Sequence, residues 1–346
     1  MRAVVLDQAG VGVQEIAPPQ KGERALVRVA QAGLCGTDLK IAAGEIPVAR
    51  PRVLGHEMTG WVHRAGARQL LPAGTPVLVN PAVFCGHCEL CRRDLPQLCR
   101  RGGLLGRDAD GVFADLVAVV EACLHPLPAG LPSDGAALLQ VLSTCVHAQS
   151  LLTVHPGDSA VVVGLGVAGL LHVQLLRDRG VPVIVGVTRS AAKRELARRF
   201  GASEAVGPED AAEAVAAQTG GRGADLAIEA AGSQQTLVQA MRLAAPGGTV
   251  LVYGTTAPAA DGLPTYDWYL KELTIRNTRA ALPRDCDLAI RLYADRRVDL
   301  APLVTARFPV EQAGPALAAC AGPGQLKVVL DVAAQPPAQR ADPAPE

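Results

Sequence analysis

The chain has no excess charge of either sign: 33 Lys plus Arg balance 33 Asp plus Glu. Without a summed field, nothing global draws it to nucleic acid or to an anionic membrane, so its function has to reside in a local site. Aromatic residues are also scarce, at 3%, while 36 Gly and 26 Pro are spread through an aliphatic-rich sequence. That mixture suits a globular fold with many tight turns and excludes extensive disorder. A clean membrane span is missing as well. Two stretches carry no formal charge, one between Asp134 and Asp158 and one from Ser159 to Leu176. The first holds Gln140, Ser143, Thr144, His147, Gln149 and His155, and the second is interrupted by Gly164, Gly166 and Gly169, so neither suits a lipid core. The opening MRAVVLDQAG reads as a strand without the basic and apolar regions of a secretory signal, and the chain is expected in the cytoplasm. Its 346 residues are long enough for two buried cores and exclude a small stapled scaffold. Nine cysteines in such a chain are expected to be thiols or metal ligands rather than disulfides.

Residues 1–141 alternate short β-like runs (AVVL, ALVRVA, TPVLVN, FADLVAVV) with Gly and Pro, which predicts a β-rich domain full of loops. From about Ser159 the pattern changes to apolar runs separated by helical stretches: SAVVVGL, VPVIVGV, ADLAIEA, GTVLVY and ELTIRN. That alternation predicts a parallel sheet with helices on both faces, over residues 142–281. A helical piece and the KVVLDV strand within 282–333 are too few for a domain and are expected to return to the first one. The Pro- and Ala-rich tail, 334–346, reads as disordered.

Gly164, Gly166, Val167, Ala168 and Gly169 form a Gly-x-Gly-x-x-Gly turn between an apolar strand and a helical stretch, the context in which that pattern binds a dinucleotide. The first glycine permits the turn, the second lets backbone approach a pyrophosphate, and the third lets helix pack on strand. The next strand should end in a carboxylate for the adenosine ribose if the cofactor is NAD. Thr188, Arg189 and Ser190 stand there instead, with Lys193 and Arg194 a turn further on. Hydroxyls and cations suit a 2′-phosphate, so NADP(H) is favoured over NAD(H). The competing reading, Arg189 as a solvated surface residue beside bound NAD, stays open.

Cys85, Cys88, Cys91 and Cys99 offer four thiols that one loop, about 85–99, can fold around a tetrahedral ion. Four thiolates leave no water position and predict a structural zinc, with an iron–sulfur cluster as the competing reading. His87 is read as a bystander. Separately, Cys35-Gly-Thr37-Asp38 and His56-Glu57 each present metal-ligand types within a turn, and either alone is ambiguous.

Together and in this order, these motifs resemble the zinc-dependent medium-chain dehydrogenase (alcohol dehydrogenase) family over about residues 1–332, with local texture nearest its polyol (sorbitol-like) and threonine dehydrogenase branch. The resemblance implies an α/β protein: a GroES-like β domain carrying catalytic zinc, a doubly wound Rossmann domain carrying the nicotinamide cofactor, and an active site in the cleft between. It implies two Zn2+ per chain. Cys35 and His56 become zinc ligands, with Glu57 a direct ligand or the carboxylate beside the metal. Asp38 orients the His56 ring, Thr37 takes the proton from the substrate hydroxyl, and Thr144 lies against the nicotinamide. Lys327 matches a position that reaches the cofactor phosphates.

Two departures stand out. Gln140 falls where relatives place a Cys, Asp or Glu that completes the zinc site, and a neutral amide is a weaker zinc donor. Lys40 replaces a histidine that several relatives use to pass the proton outward. The expected activity is hydride transfer between the cofactor and a secondary alcohol, polyol, sugar or amino-alcohol. Two alternatives stay open: a zinc-independent quinone- or enone-type reductase of the same fold, and a catalytically silent nucleotide-binding protein. The aromatic run Tyr266-Asp-Trp268-Tyr269 before the ELTIRN strand is where the resemblance implies a homodimer or homotetramer contact through edge strands, with packing inside the domain as the other reading.

Overall fold

The computed structural model describes residues 1–20, 22–254 and 262–333. The chain divides into two compact units: Met1–Gln140 joined by the chain from Leu300 onward, and Val141–Asp299. The expected tail at 334–346 lies outside the described residues.

The first unit is built from short strands whose alternate side chains face one core. Its main sheet runs Leu124–Pro126, Pro76–Val79, Glu57–Arg64, Ala25–Gly33, Lys327–Asp331, Val304–Pro309, with Leu116–Val119 also paired to Ala25–Gly33. Val27, Val29, Met58, Val62, Val77, Val117, Val328 and Leu330 belong to its buried cluster. Each such side chain contributes roughly 1.5–3 kcal/mol on burial. The C-terminal strand is an interior member of this sheet: Val329 lies opposite Gly33 and Asp331 opposite Gln31, antiparallel. A small pair, Ala82–Val83 with Gly103–Leu104, brackets the four-cysteine loop.

The second unit holds six parallel strands in the order Glu204–Val206, Val183–Val187, Ser159–Val163, Ala224–Glu229, Ala244–Val252, Thr274–Asn277. Counted along the unit this is 3-2-1-4-5-6, the doubly wound dinucleotide-binding order, with its reversal between the first and fourth strands. All five residues of Ser159–Val163 are buried, which is why that strand reads as an unbroken apolar run. Glu204–Val206, only three residues, is the strand that the sequence pattern did not reveal.

The return to the first unit comes later than the expected residue 282. The helix Pro283–Ala294 buries Cys286, Ala289, Ile290 and Tyr293 and belongs to the second unit. Its N-terminus is tied down by Asp285, which accepts from Leu282 N–H at 2.8 Å and lies 2.9 Å from His147 Nδ1. Downstream, Asp299 N–H donates to Gln174 Oε1 at 2.7 Å and Gln174 Nε2 donates back to the Asp299 carbonyl at 3.0 Å. These long-range anchors keep the segment on the Rossmann-like unit, and composition does not reveal them.

Candidate functional site

In the cysteine lobe, Cys88 stands as the N-cap of a four-residue helix, Glu89–Arg92, which turns Cys91 back toward it. The Sγ atoms of Cys85 and Cys91 lie 4.0 Å apart, Cys88 and Cys91 3.5 Å, Cys88 and Cys99 3.8 Å, and Cys85 and Cys99 3.6 Å. Four sulfurs at about 2.3 Å around one tetrahedral ion would sit about 3.8 Å apart. The set therefore fits one ion, and is too tight for a cluster whose thiolates each sit on a different iron. Cys88 N–H donates to Cys85 Sγ at 3.3 Å and Cys85 N–H to Cys99 Sγ at 3.4 Å. The backbone N–H of His87, aided by that of Cys88, draws the Cys85 thiol down to about 5. The His87 ring is turned away, with Nδ1 2.7 Å from the Cys85 carbonyl.

Across the same unit, one donor atom each from Cys35, His56 and Glu57 lie within 4.8 Å of one another. Cys35 is the N-cap of the helix Gly36–Ala42, and Asp38 in its first turn reaches back to accept Cys35 N–H at 2.9 Å. The other Asp38 oxygen lies 3.5 Å from His56 Nδ1. Burial opposes charge on His56, but Asp38 and then Cys35 outweigh it and raise its pKa well above the ordinary value. Thr37 Oγ1 is 3.9 Å from Cys35 Sγ, and Lys40 is exposed in the last turn of the helix. Thiolate, imidazole and carboxylate converging in this way form a donor set that suits zinc with a position left open. Gln140 is buried in the first turn of the helix Leu139–Ser150, and the three converging donors come from elsewhere.

Lys327 corrects its expected place on the cofactor phosphates. Its side chain is fully buried, and Nζ donates to Glu57 Oε1 and Oε2 at 2.9 and 2.7 Å and to the Leu34 carbonyl at 2.9 Å. With all three donor protons placed inside the first unit, none is left for a phosphate. Space for the pair comes from Gly33, where a Cβ would stand 2.4 Å from Glu57 Oε2. A buried carboxylate needs such a counter-ion.

In the second unit the glycine turn follows Val163 at the carboxyl end of its strand. Gly164 has φ +96°, a conformation that side chains disfavour, and a Cβ there would meet Ala231 at 2.7 Å. A Cβ on Gly169 would strike the Gly164 carbonyl oxygen at 1.8 Å, so helix and turn touch only because residue 169 has no side chain. Gly166 faces open space and caps the helix Val167–Asp178 without a side chain, so Val167 and Ala168 open its first turn with no capping side chain before them. That is the cradle a pyrophosphate fills.

Thr188 follows the next strand. Its Oγ1 accepts Ser190 N–H at 3.4 Å, and Ser190 Oγ in turn caps the helix Ala191–Arg199 through Lys193 N–H at 3.4 Å. Arg194 Nη1 donates to the Thr188 carbonyl at 3.2 Å, and Arg189 is exposed. Thr144 lies in the helix Leu139–Ser150. Its hydroxyl donates to the Val141 carbonyl at 2.7 Å and meets Tyr253 Oη at 2.7 Å, a partner that the sequence reading missed. The available signal was Tyr253's place just beyond an apolar strand in a parallel sheet, where ligand sites gather.

Comparison with known proteins bears on both units. Residues 21–129 match the alcohol dehydrogenase GroES-like domain, and residues 166–295 match the zinc-binding dehydrogenase domain. The sorbitol dehydrogenase of Halalkalibacterium halodurans is 30% identical, covering 95% of this chain and 99% of its own. The 2-dehydro-3-deoxy-L-galactonate 5-dehydrogenase of Pseudoalteromonas atlantica is 31% identical over 92% of this chain and 94% of its own. Among solved structures, an alcohol dehydrogenase from Thermus sp. ATN1 superposes with TM-score 0.89 at 33% identity, covering 96% of this chain and all of that one, 100%. A candidate zinc-binding dehydrogenase from Sinorhizobium meliloti bound to NADP gives TM-score 0.89 at 31% identity, over 96% of this chain and 99% of that one.

Proposed function

The chain belongs to the zinc-dependent medium-chain alcohol dehydrogenase family and is an oxidoreductase moving hydride between a nicotinamide cofactor and an alcohol or its carbonyl counterpart; beyond that, we propose its cofactor preference, metal ligands and substrate class. The observation that carries the reading is the convergence of Cys35, His56 and Glu57 within 4.8 Å. Cys35 and His56 hold one zinc, with Glu57 at its side, and Cys85, Cys88, Cys91 and Cys99 hold a second. Gln140, a neutral amide, is the weakest donor proposed for the first set. Zinc at the first site supplies Lewis acidity toward a substrate oxygen. Asp38 holds the His56 ring in place. The Thr37 hydroxyl accepts the substrate proton as it releases its own, which leaves through solvent or through the exposed Lys40 on the same helix once its amine is deprotonated.

NADP(H) is the proposed cofactor. The turn Gly164–Gly169 takes the pyrophosphate, Thr144 lies at the nicotinamide, and Thr188, Arg189, Ser190 and Lys193 take the 2′-phosphate. Supporting this, a capped helix N-terminus and several cations gather where an NAD site would present a carboxylate. Secondary alcohols of polyols, sugars or amino-alcohols are the proposed substrates, consistent with relatives named as sorbitol and galactonate dehydrogenases.

A homo-oligomer forms through the second unit. Among the described residues its end strand, Thr274–Asn277, has one hydrogen-bonded neighbour, and beside it Tyr266, Tyr269 and Leu270 are 68%, 75% and 59% exposed. The compartment is the cytoplasm, in keeping with nine cysteines that form no disulfide among the described residues. Among the described residues no helix is long and apolar enough to cross a membrane.

Metal analysis with initial rates on NADPH and NADPH-free NADH, across polyols, sugars, amino-alcohols and simple alcohols, tests the proposal. Two zinc per chain and faster turnover with the phosphorylated cofactor are expected. One zinc with quinone or enone reduction would replace it, as would dinucleotide binding without turnover.

A further inference from the structure

Tyr253 lies on the carboxyl edge of the parallel sheet, next to the glycine turn. Its N–H and that of Gly254 donate to the Glu229 carbonyl at 2.9 and 3.1 Å, while Ala230 N–H donates to the Val163 carbonyl at 2.8 Å. The ends of three neighbouring strands are thereby linked, and Gly164 follows directly on Val163.

The hydrogen-bond donors around Thr144 can be assigned. The Thr144 hydroxyl has a single proton, and its 2.7 Å bond to the Val141 carbonyl consumes it, because a carbonyl only accepts. The 2.7 Å contact with Tyr253 must then run the other way, with the phenol donating to Thr144 Oγ1. With its proton committed, that oxygen can offer a ligand only an acceptor position. A ligand group placed there has to be a donor.

The His172 ring packs against the phenol. His172 is fully buried, and burial lowers its pKa to about 3, so the ring carries no charge. Arg179 Nη1 donates to Gln149 Oε1 at 3.4 Å, which orients the Gln149 amide so that Nε2 donates to His172 Nδ1 at 3.2 Å. The His172 proton is therefore on Nε2. The two rings meet edge to face, with centroids 4.9 Å apart, and this packing holds the phenol in one orientation.

We propose that Tyr253 is a positioning residue for the nicotinamide: with the Thr144 proton held by the Val141 carbonyl, the phenol donates to one lone pair of Oγ1 and so fixes the direction in which that oxygen accepts the carboxamide N–H. This rests on the reading above that Thr144 lies at the nicotinamide. Recognition of an amide donor by a pre-set acceptor discriminates against any ring substituent that lacks the N–H.

Calorimetric binding of NADP+ and of its 3-acetylpyridine analogue, in which a methyl ketone replaces the carboxamide, tests the proposal on the zinc-loaded protein. The same comparison is run with NAD+ and its analogue. The wild-type protein should prefer the carboxamide by about five- to tenfold. Thr144→Val should bring that preference close to one and Tyr253→Phe should lower it at least twofold, and the double variant should do no more than Thr144→Val alone, with melting midpoints near wild type. A structural role would lower the midpoint and leave the preference intact. Tyr253→Phe retaining the preference, or the two substitutions multiplying, would overturn the proposal while leaving the dehydrogenase reading in place. Failure of the wild-type protein to bind either dinucleotide would sink both.

Discussion

The two donor clusters of the first unit are built in opposite ways. Cys85, Cys88, Cys91 and Cys99 come from one loop, with the outermost pair only 14 positions apart, and the loop's own N–H groups hold the sulfurs. Cys35 caps one helix, the adjacent His56 and Glu57 stand at the start of a strand, and the cation that balances Glu57 arrives from 270 positions downstream. The lobe is largely half-exposed and uses sulfur alone, whereas the second cluster mixes donor types and is mostly buried. A closed set of thiolates can only hold an ion, while a mixed set with an open position can also present one to a substrate. On the proposed reading, the difference separates stability from catalysis within one unit.

Substitutions can break that separation. The largest effect is expected for Cys35→Ser. Turnover should fall by more than the roughly 10- to 100-fold that a supporting residue costs, while dinucleotide affinity, set in the other unit, stays within about twofold. Retained turnover would remove Cys35 from the chemistry. Lys327→Met should come next, since it leaves Glu57 buried without its counter-ion, at a cost of about 3–5 kcal/mol in denaturant unfolding. Pairing it with Glu57→Gln should recover most of that loss; no recovery would mean that Lys327 matters for another reason.

Cys99→Ser should release one zinc and lower the melting midpoint by roughly 5 °C. The decisive measurement is metal content: loss of both ions together would show that the clusters are not independent. The mildest expected effect is that of Arg189→Ala, an exposed side chain, which should raise the KM for NADPH about tenfold and leave that for NADH unchanged. Equal effects on the two cofactors would make Arg189 an ordinary surface residue.

The features legible in the sequence were those whose parts lie close together along the chain. The glycine turn and the four cysteines each fit within a short window, where spacing alone dictates geometry. The same is true of the apolar runs, although the three-residue strand Glu204–Val206 was too short to show a period. Lys327 illustrates the limit. Its sequence context marked it for phosphate, but its ammonium is enclosed by Glu57 and the Leu34 carbonyl, a neighbourhood created by strand pairing between the two ends of the chain. The helix Pro283–Ala294 was placed in the wrong unit for a similar reason, because its anchors are a histidine and a glutamine far upstream.

Local spacing therefore determined which chemistry is to be expected of this protein: a sulfur-bound ion, a dinucleotide turn, and thiolate and imidazole types for a second ion. Tertiary structure decided which groups are already spoken for. Glu57 is neutralised, Lys327 is consumed, and the Thr144 hydroxyl is left as an acceptor because Val141 and Tyr253 use its other positions. A side chain has a fixed number of protons and lone pairs, and only the folded neighbourhood settles how they are spent.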